Sequence, residues 1–162
     1  AMVEQMRGHK AKIVAIVDGL AASAATTVAI EADEVRMAPG GQFMIHNAWS
    51  FVGGDYRDME RMSAVLKKVN DGIVAEYGQK TGKEKDQIEA WMNEETWFNA
   101  DEALTNGFID SIVEHAPKAS NMWDLSGYDK VPQALLSAPA QNEQDFDIEH
   151  LQRHLKMLER VA

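Results

Sequence analysis

The sequence predicts an α/β domain built on a parallel core, and three observations carry that expectation. Ile13 to Val17 is a short apolar run rich in β-branched residues, closed by Asp18-Gly19 and followed by a helix that opens among small residues at Ser23. Two more strand-like runs follow, Glu34 to Ala38 and Phe43 to Ala48, separated by the turn Pro39-Gly40-Gly41. From Asp55 to Tyr77 the apolar residues Met59, Met62, Leu66, Val69, Ile73 and Tyr77 recur at steps of three and four, with Asp58, Arg61, Lys67, Lys68 and Asp71 elsewhere on the cylinder. Strands alternating with helices at such intervals call for parallel pairing.

Taken in order, Val3 to His9 reads as a short helix whose exit is Arg7-Gly8-His9-Lys10. Ile13 to Val17 reads as a strand covered on both faces. The small residues Leu20 to Ala25 then let a helix start close to the sheet, and that helix runs to about Ile30. Glu31-Ala32-Asp33 turns the chain into the next strand, and His46 closes the apolar run Phe43 to Ile45. Trp49 to Gly54 is a loop with two aromatic residues and two glycines. After the long helix, Gly78 to Gly82 is a stop, and Lys83 to Asn93 is a further helix with Ile88, Trp91 and Met92 inward. Asn99 followed by Glu102 has the form of a capping box, Asn106-Gly107 closes that helix, and Phe108 to Val113 is the last strand, expected to help hold the segment around Glu95. Residues 1–115 are thus expected to form one domain. Residues 116–146, with Pro117, Pro132 and Pro139, read as a linker-like extension, and 147–162 as an amphipathic helix with a narrow seam of Ile148, Leu151, Leu155 and Leu158.

Composition excludes several classes of function. The 162 residues are 45% hydrophobic, enough for one ordinary core, and carry a formal charge of -10, the wrong sign for nucleic acid or an anionic membrane. With no cysteine there is no disulfide, thiol nucleophile or thiolate metal site. The window from Ile13 to Ile30 has a single charge, Asp18, but is built of Ala, Ser, Thr and Gly between the aliphatic residues; it reads as buried in protein rather than lipid. No secretory signal is visible, which makes a cytoplasmic location the expectation. His150 and His154 lie four apart, without a third ligand or an H-E-x-x-H pattern, and read as a solvated face rather than a zinc site.

A lone serine at a helix opening reads as an N-cap. Here a histidine stands at the end of a neighbouring strand, and the motifs G-L-A-A-S-A-A (Gly19 to Ala25) and M-I-H-N-A (Met44 to Ala48) together resemble the ClpP family of serine peptidases. They look most like the ClpP-related proteases of phages and prophages that act in head maturation. The resemblance continues through Trp97 to Asp110, W-F-N-A-D-E-A-L-T-N-G-F-I-D, and covers roughly Lys10 to Val113.

The resemblance implies a ClpP/crotonase-like fold, a repeated β-β-α superhelical core from which the helix at 55–77 projects as a handle, and a homo-oligomeric ring built through that handle. It implies a serine endopeptidase with Ser23 as nucleophile, His46 as general base and no metal or organic cofactor, acting on a polypeptide such as a capsid or scaffold protein. In the family's register the acidic triad position falls on Glu95, where bacterial cytosolic members carry aspartate; Glu94 and Asp101 are neighbours to be told apart from it. The Glu95 carboxylate is expected within about 3 Å of His46 Nδ1. The Ala24 N–H is expected in the oxyanion hole, beside a donor from a glycine-rich turn that the family carries upstream of the serine. This sequence is expected to begin in the helix after that turn, so the chain alone is expected to be a poor catalyst. Two other readings stay open: a catalytically silent assembly protein on the same fold, and a crotonase-type acyl-CoA enzyme. A Ser-Lys dyad is disfavoured by the histidine of M-I-H.

Overall fold

The computed structural model describes residues 2–113 and 125–136. The chain divides into two compact units, Ala1–Pro132 and Gln133–Ala162, and of the second only a short helix, Gln133–Leu136, is described. The helix expected at 147–162, with His150 and His154, lies outside the described residues, as does most of 116–146.

The first unit opens with helix α1 (Met2–Arg7) and then lays its strands down in pairs, one strand of each pair in each of two small sheets. Strands β1 (Val14–Val17) and β2 (Leu20–Ala22) precede helix α2 (Ala24–Ala29). Strands β3 (Glu34–Met37) and β4 (Gln42–Ile45) precede the 26-residue helix α3 (Tyr56–Thr81). Helix α4 (Lys85–Asn93), strand β5 (Thr96–Asn99), helix α5 (Ala100–Thr105) and strand β6 (Ser111–Ile112) complete the order. The first sheet has the order β1-β3-β6 and is parallel throughout. The second has the order β2-β4-β5, with β2 parallel and β5 antiparallel to β4.

Four expectations from sequence need correcting. Leu20 to Ala22 is a strand rather than the entry to a helix: its backbone pairs with Gln42 to Met44, and pairing with a buried strand overrides the helical preference of alanine. β1 is covered on one face only: Val17 is buried and Ala15 packs on the core, whereas Val14 and Ile16 are 37% and 54% exposed, because alternate residues point to a face on which no described element lies. The core is not wholly parallel, since β5 runs against β4, placing Thr96 opposite Ile45. The last strand is only two residues long, shorter than the expected Phe108 to Val113, with Phe108 before it packed on Phe98 of β5.

The core gathers around Phe108, whose fully buried ring meets Phe43, Tyr77, Trp91 and Phe98 at centroid separations of 5.2, 5.7, 6.0 and 4.9 Å. Four elements, β4, α3, α4 and β5, are joined there. Asp110 completes the clasp: one carboxylate oxygen accepts the Val35 N–H at 2.7 Å, and both accept from Lys80 Nζ at the end of α3.

The long helix is started by a capping box between Asp55 and Asp58 and stopped by Gly82 in the left-handed conformation. Only Val74 and Tyr77 on it are buried; Met59 and Val69 are 41% and 44% exposed, and Phe51 in the loop before it is 89% exposed. Among the described residues no helix is long and apolar enough to cross a membrane.

Gly107 takes φ +83, and a Cβ there would stand 3.2 Å from the Thr81 backbone. Gly107→Ala is therefore expected to lower stability by about 1–2 kcal/mol from the left-handed conformation alone, with crowding added, as measured by urea denaturation.

Candidate active site

Ser23 stands between β2 and α2 in a backbone conformation that non-glycine residues avoid, φ 56 and ψ -126. Three hydrogen bonds hold it there. Its N–H donates to Met44 O at 3.0 Å, and its carbonyl accepts from the Thr26 N–H at 2.9 Å and the Thr26 hydroxyl at 2.5 Å. Because the Thr26 hydroxyl has one hydrogen and gives it to Ser23, the Tyr77 hydroxyl must be the donor in the 2.5 Å contact between the two side chains. Thr26 is fully buried, and burial raises the Tyr77 phenol to about 12, so it stays protonated and keeps donating.

Ser23 occupies the N-cap position of α2, yet its hydroxyl makes no capping bond. It lies instead 2.8 Å from Nε2 of His46, the residue directly after β4. The parallel register Ala22 to Met44 sets this distance, since it ends the two strands side by side and leaves serine and histidine on adjacent exits.

Glu95 faces the other ring nitrogen. Its Oε2 is 3.9 Å from His46 Nδ1, an ion-pair distance and not the hydrogen bond of about 3 Å expected from sequence. The carboxylate is held off by its own donors: Lys130 N at 2.7 Å and Trp97 Nε1 at 3.3 Å on Oε1, and Asp129 N at 3.1 Å on Oε2. Glu95 also has a positive φ, 50°, in the tight passage from α4 to β5. Ser23 and Glu95 are the only non-glycine residues with positive φ among the described residues. Strained backbone of this kind concentrates at functional sites, where the surrounding structure over-determines it. Of the neighbouring acids, Glu94 pairs on the surface with Lys130 Nζ, and Asp101 is exposed in the first turn of α5.

Ser23, Ala24 and His46 open onto a cleft of about 260 Å³ that is also lined by Trp49, Val69 and Ile73. Ala24 is the first residue of α2, the position whose N–H has no partner inside a helix. Sequence reading missed the supporting residues. Thr26 could have been suspected from its spacing three residues after Ser23. Nothing in the spacing of Tyr128, Asp129 or Lys130 connects them with Glu95, more than thirty residues away.

The profile of the family described as "Clp protease" matches residues 1–116. The chain belongs to the Clp protease family. Curated relatives called "ATP-dependent Clp protease proteolytic subunit", from Streptococcus pyogenes serotypes M5 (strain Manfredo) and M1, are 33% identical over 119 residues. The alignment takes in 71% of this chain and 61% of each of those proteins, so this Clp family chain spans about three fifths of their length.

The electrostatics of this member suit proton transfer from the serine. Burial lowers the His46 pKa below 6.5, and the opposing charge of Glu95 is the smaller influence, so the imidazole is neutral near pH 7 and its Nε2 can accept a proton. For Glu95, burial pushes upward, but the N–H donors of Lys130, Asp129 and Trp97 together with His46 outweigh it and the carboxyl is held low. A neutral base with an ionised carboxylate behind it is the protonation state that general-base work on a hydroxyl needs. Labelling of Ser23 by a fluorophosphonate is expected to rise with pH as His46 loses its proton, with a midpoint below 6.5. A midpoint above that value would mean that Glu95 outweighs burial at the imidazole.

Proposed function

We propose that this chain is the catalytic part of a serine endopeptidase. The observation that carries the reading is the Ser23 hydroxyl, held on a strained turn and given to His46 Nε2 at 2.8 Å instead of to the helix it would cap. In the proposed reaction His46 takes the hydroxyl proton as Ser23 Oγ attacks a peptide carbonyl. The Ala24 N–H and a second donor hold the oxyanion, and the proton passes from His46 to the leaving amine. Water, deprotonated by His46, then releases the acyl group and restores Ser23. Glu95 stabilises the imidazolium through space at 3.9 Å and fixes the tautomer that leaves Nε2 free.

That the relatives are proteolytic subunits supports a peptidase. The cleft beside Ser23 has apolar and uncharged walls, which favours an uncharged side chain next to the scissile bond. The finer reading, processing of a phage capsid or scaffold protein, rests on the likeness of G-L-A-A-S-A-A and M-I-H-N-A to head-maturation proteases. In protein extended upstream to the length of the relatives, Ser23→Ala and His46→Ala should each lower peptide turnover by up to about a million-fold. Near wild-type cleavage by Ser23→Ala would refute the reading.

The same reading includes assembly into a ring through α3. The exposed Met59, Val65 and Val69 on that helix, with Trp49 and Phe51 beside its start, are apolar surface that a neighbouring copy could cover. A groove of about 620 Å³ along the helix, bordered by Val52, Met59, Met62 and Leu66, offers a seat for a neighbouring copy. Light scattering on the extended protein at micromolar concentration is expected to give a multiple of the chain mass, and Met59→Glu with Val69→Glu to reduce it. A monodisperse monomer before substitution would remove the support for a ring.

A further inference from the structure

Residues 125–132 lie downstream of the family match, which ends at 116, yet they fold within the first unit. Leu125 is buried, and the turn that follows it is closed by the Tyr128 N–H donating to Leu125 O at 3.2 Å. That turn aims two consecutive N–H groups, of Asp129 and Lys130, at the two oxygens of the Glu95 carboxylate. The Tyr128 ring sits between His46 and Trp97, with its centroid 5.7 Å from each and its plane perpendicular to the indole. The strap is tied down once more by the ion pair of Lys130 Nζ with Glu94.

Resting on the serine-hydrolase reading of Ser23 and His46, we propose that residues 125–132 are a strap that completes the active site, with Tyr128, Asp129 and Lys130 as positioning residues for His46 and Glu95. The division of labour follows from chemistry. A carboxylate that accepts backbone N–H bonds on both oxygens cannot rotate freely and stays ionised. An imidazole packed against an aromatic face loses water on that side and keeps its ring plane fixed. The groups that face Glu95 are His46 from the end of β4, Trp97 from β5 and the two strap amides. Glu94 and Lys130 Nζ neutralise each other at the rim. Without the strap the carboxylate would keep only Trp97 and His46. It would then be free to swing, and the imidazole would be open to water.

The test uses the full chain and two readouts, one of which needs no activity. With 15N-labelled histidine, the NMR titration of His46 in Tyr128→Ala should move upward, since burial is what lowers it and Tyr128 covers the ring, and Tyr128→Phe should restore it. Fluorophosphonate labelling of Ser23 should slow by about tenfold in Lys130→Pro, which deletes one N–H to the carboxylate; the conservative Lys130→Ala, which keeps that N–H, should restore the rate. Thermal denaturation identifies a variant that is merely unfolded, and the Tyr128 pair decides the matter should Lys130→Pro not fold. An unmoved His46 titration together with equal labelling of Lys130→Pro and Lys130→Ala would overturn the strap, as would faster labelling in Lys130→Pro. Absence of labelling in the unsubstituted protein extended upstream to the length of the relatives would instead refute the hydrolase reading, and the titration would still decide the strap.

Discussion

The chain of hydroxyls from Tyr77 through Thr26 to the Ser23 carbonyl is the constraint on which the rest of the site depends. Ser23 sits in a conformation that costs on the order of 1–3 kcal/mol, and such a residue persists only if its surroundings leave it no alternative. The strand register supplies one restraint, through Met44 O, and the buried hydroxyl pair supplies the other. Tyr77 is on α3, so the long helix reaches into the core at its C-terminal end and clamps the turn that presents the serine. Removing the Thr26 hydroxyl would leave the buried Tyr77 hydroxyl without this partner, a larger loss than the bond itself.

The same end of α3 packs on Phe108, where rings from both halves of the unit converge. Site and core are therefore continuous. Phe43 and Ile45 of β4 are fully buried in this core, and His46, directly after Ile45, opens onto the cleft. The 3.9 Å gap from imidazole to carboxylate lies between two separately held groups, His46 at the end of β4 and the Glu95 carboxylate on the amides of Asp129 and Lys130.

Electrostatics at the site work in opposite directions on the two ionisable partners. Burial keeps His46 neutral, whereas hydrogen bonds keep Glu95 charged in spite of burial. Water alone would give neither result so firmly: an exposed imidazole would be partly protonated near neutral pH, and a buried carboxyl without N–H donors would drift upward.

Much of this was legible in the residues themselves. The strands at Ile13 and Glu34, the helix from Asp55 and the capping box of Asn99 with Glu102 follow from local patterns, β-branched runs and steps of three and four, and the pairing of Ser23 with His46 from the likeness of two short motifs to a known family. Leu20 to Ala22 was misread because a stretch of Leu and Ala has no strand signal of its own, and only the partner β4 makes it one. The open face of β1, the reversed direction of β5 and the 3.9 Å separation of Glu95 from His46 were equally invisible, since each depends on which surfaces meet. The strap is the extreme case. Its hold on Glu95 acts through backbone N–H groups, which every residue except proline possesses, across 34 and 35 positions of chain, so no residue type marks that part of it. Sequence by itself determined which groups could do the chemistry, because reactivity belongs to side chains. Tertiary structure alone decided their distances, strain and charge states, because those belong to packing.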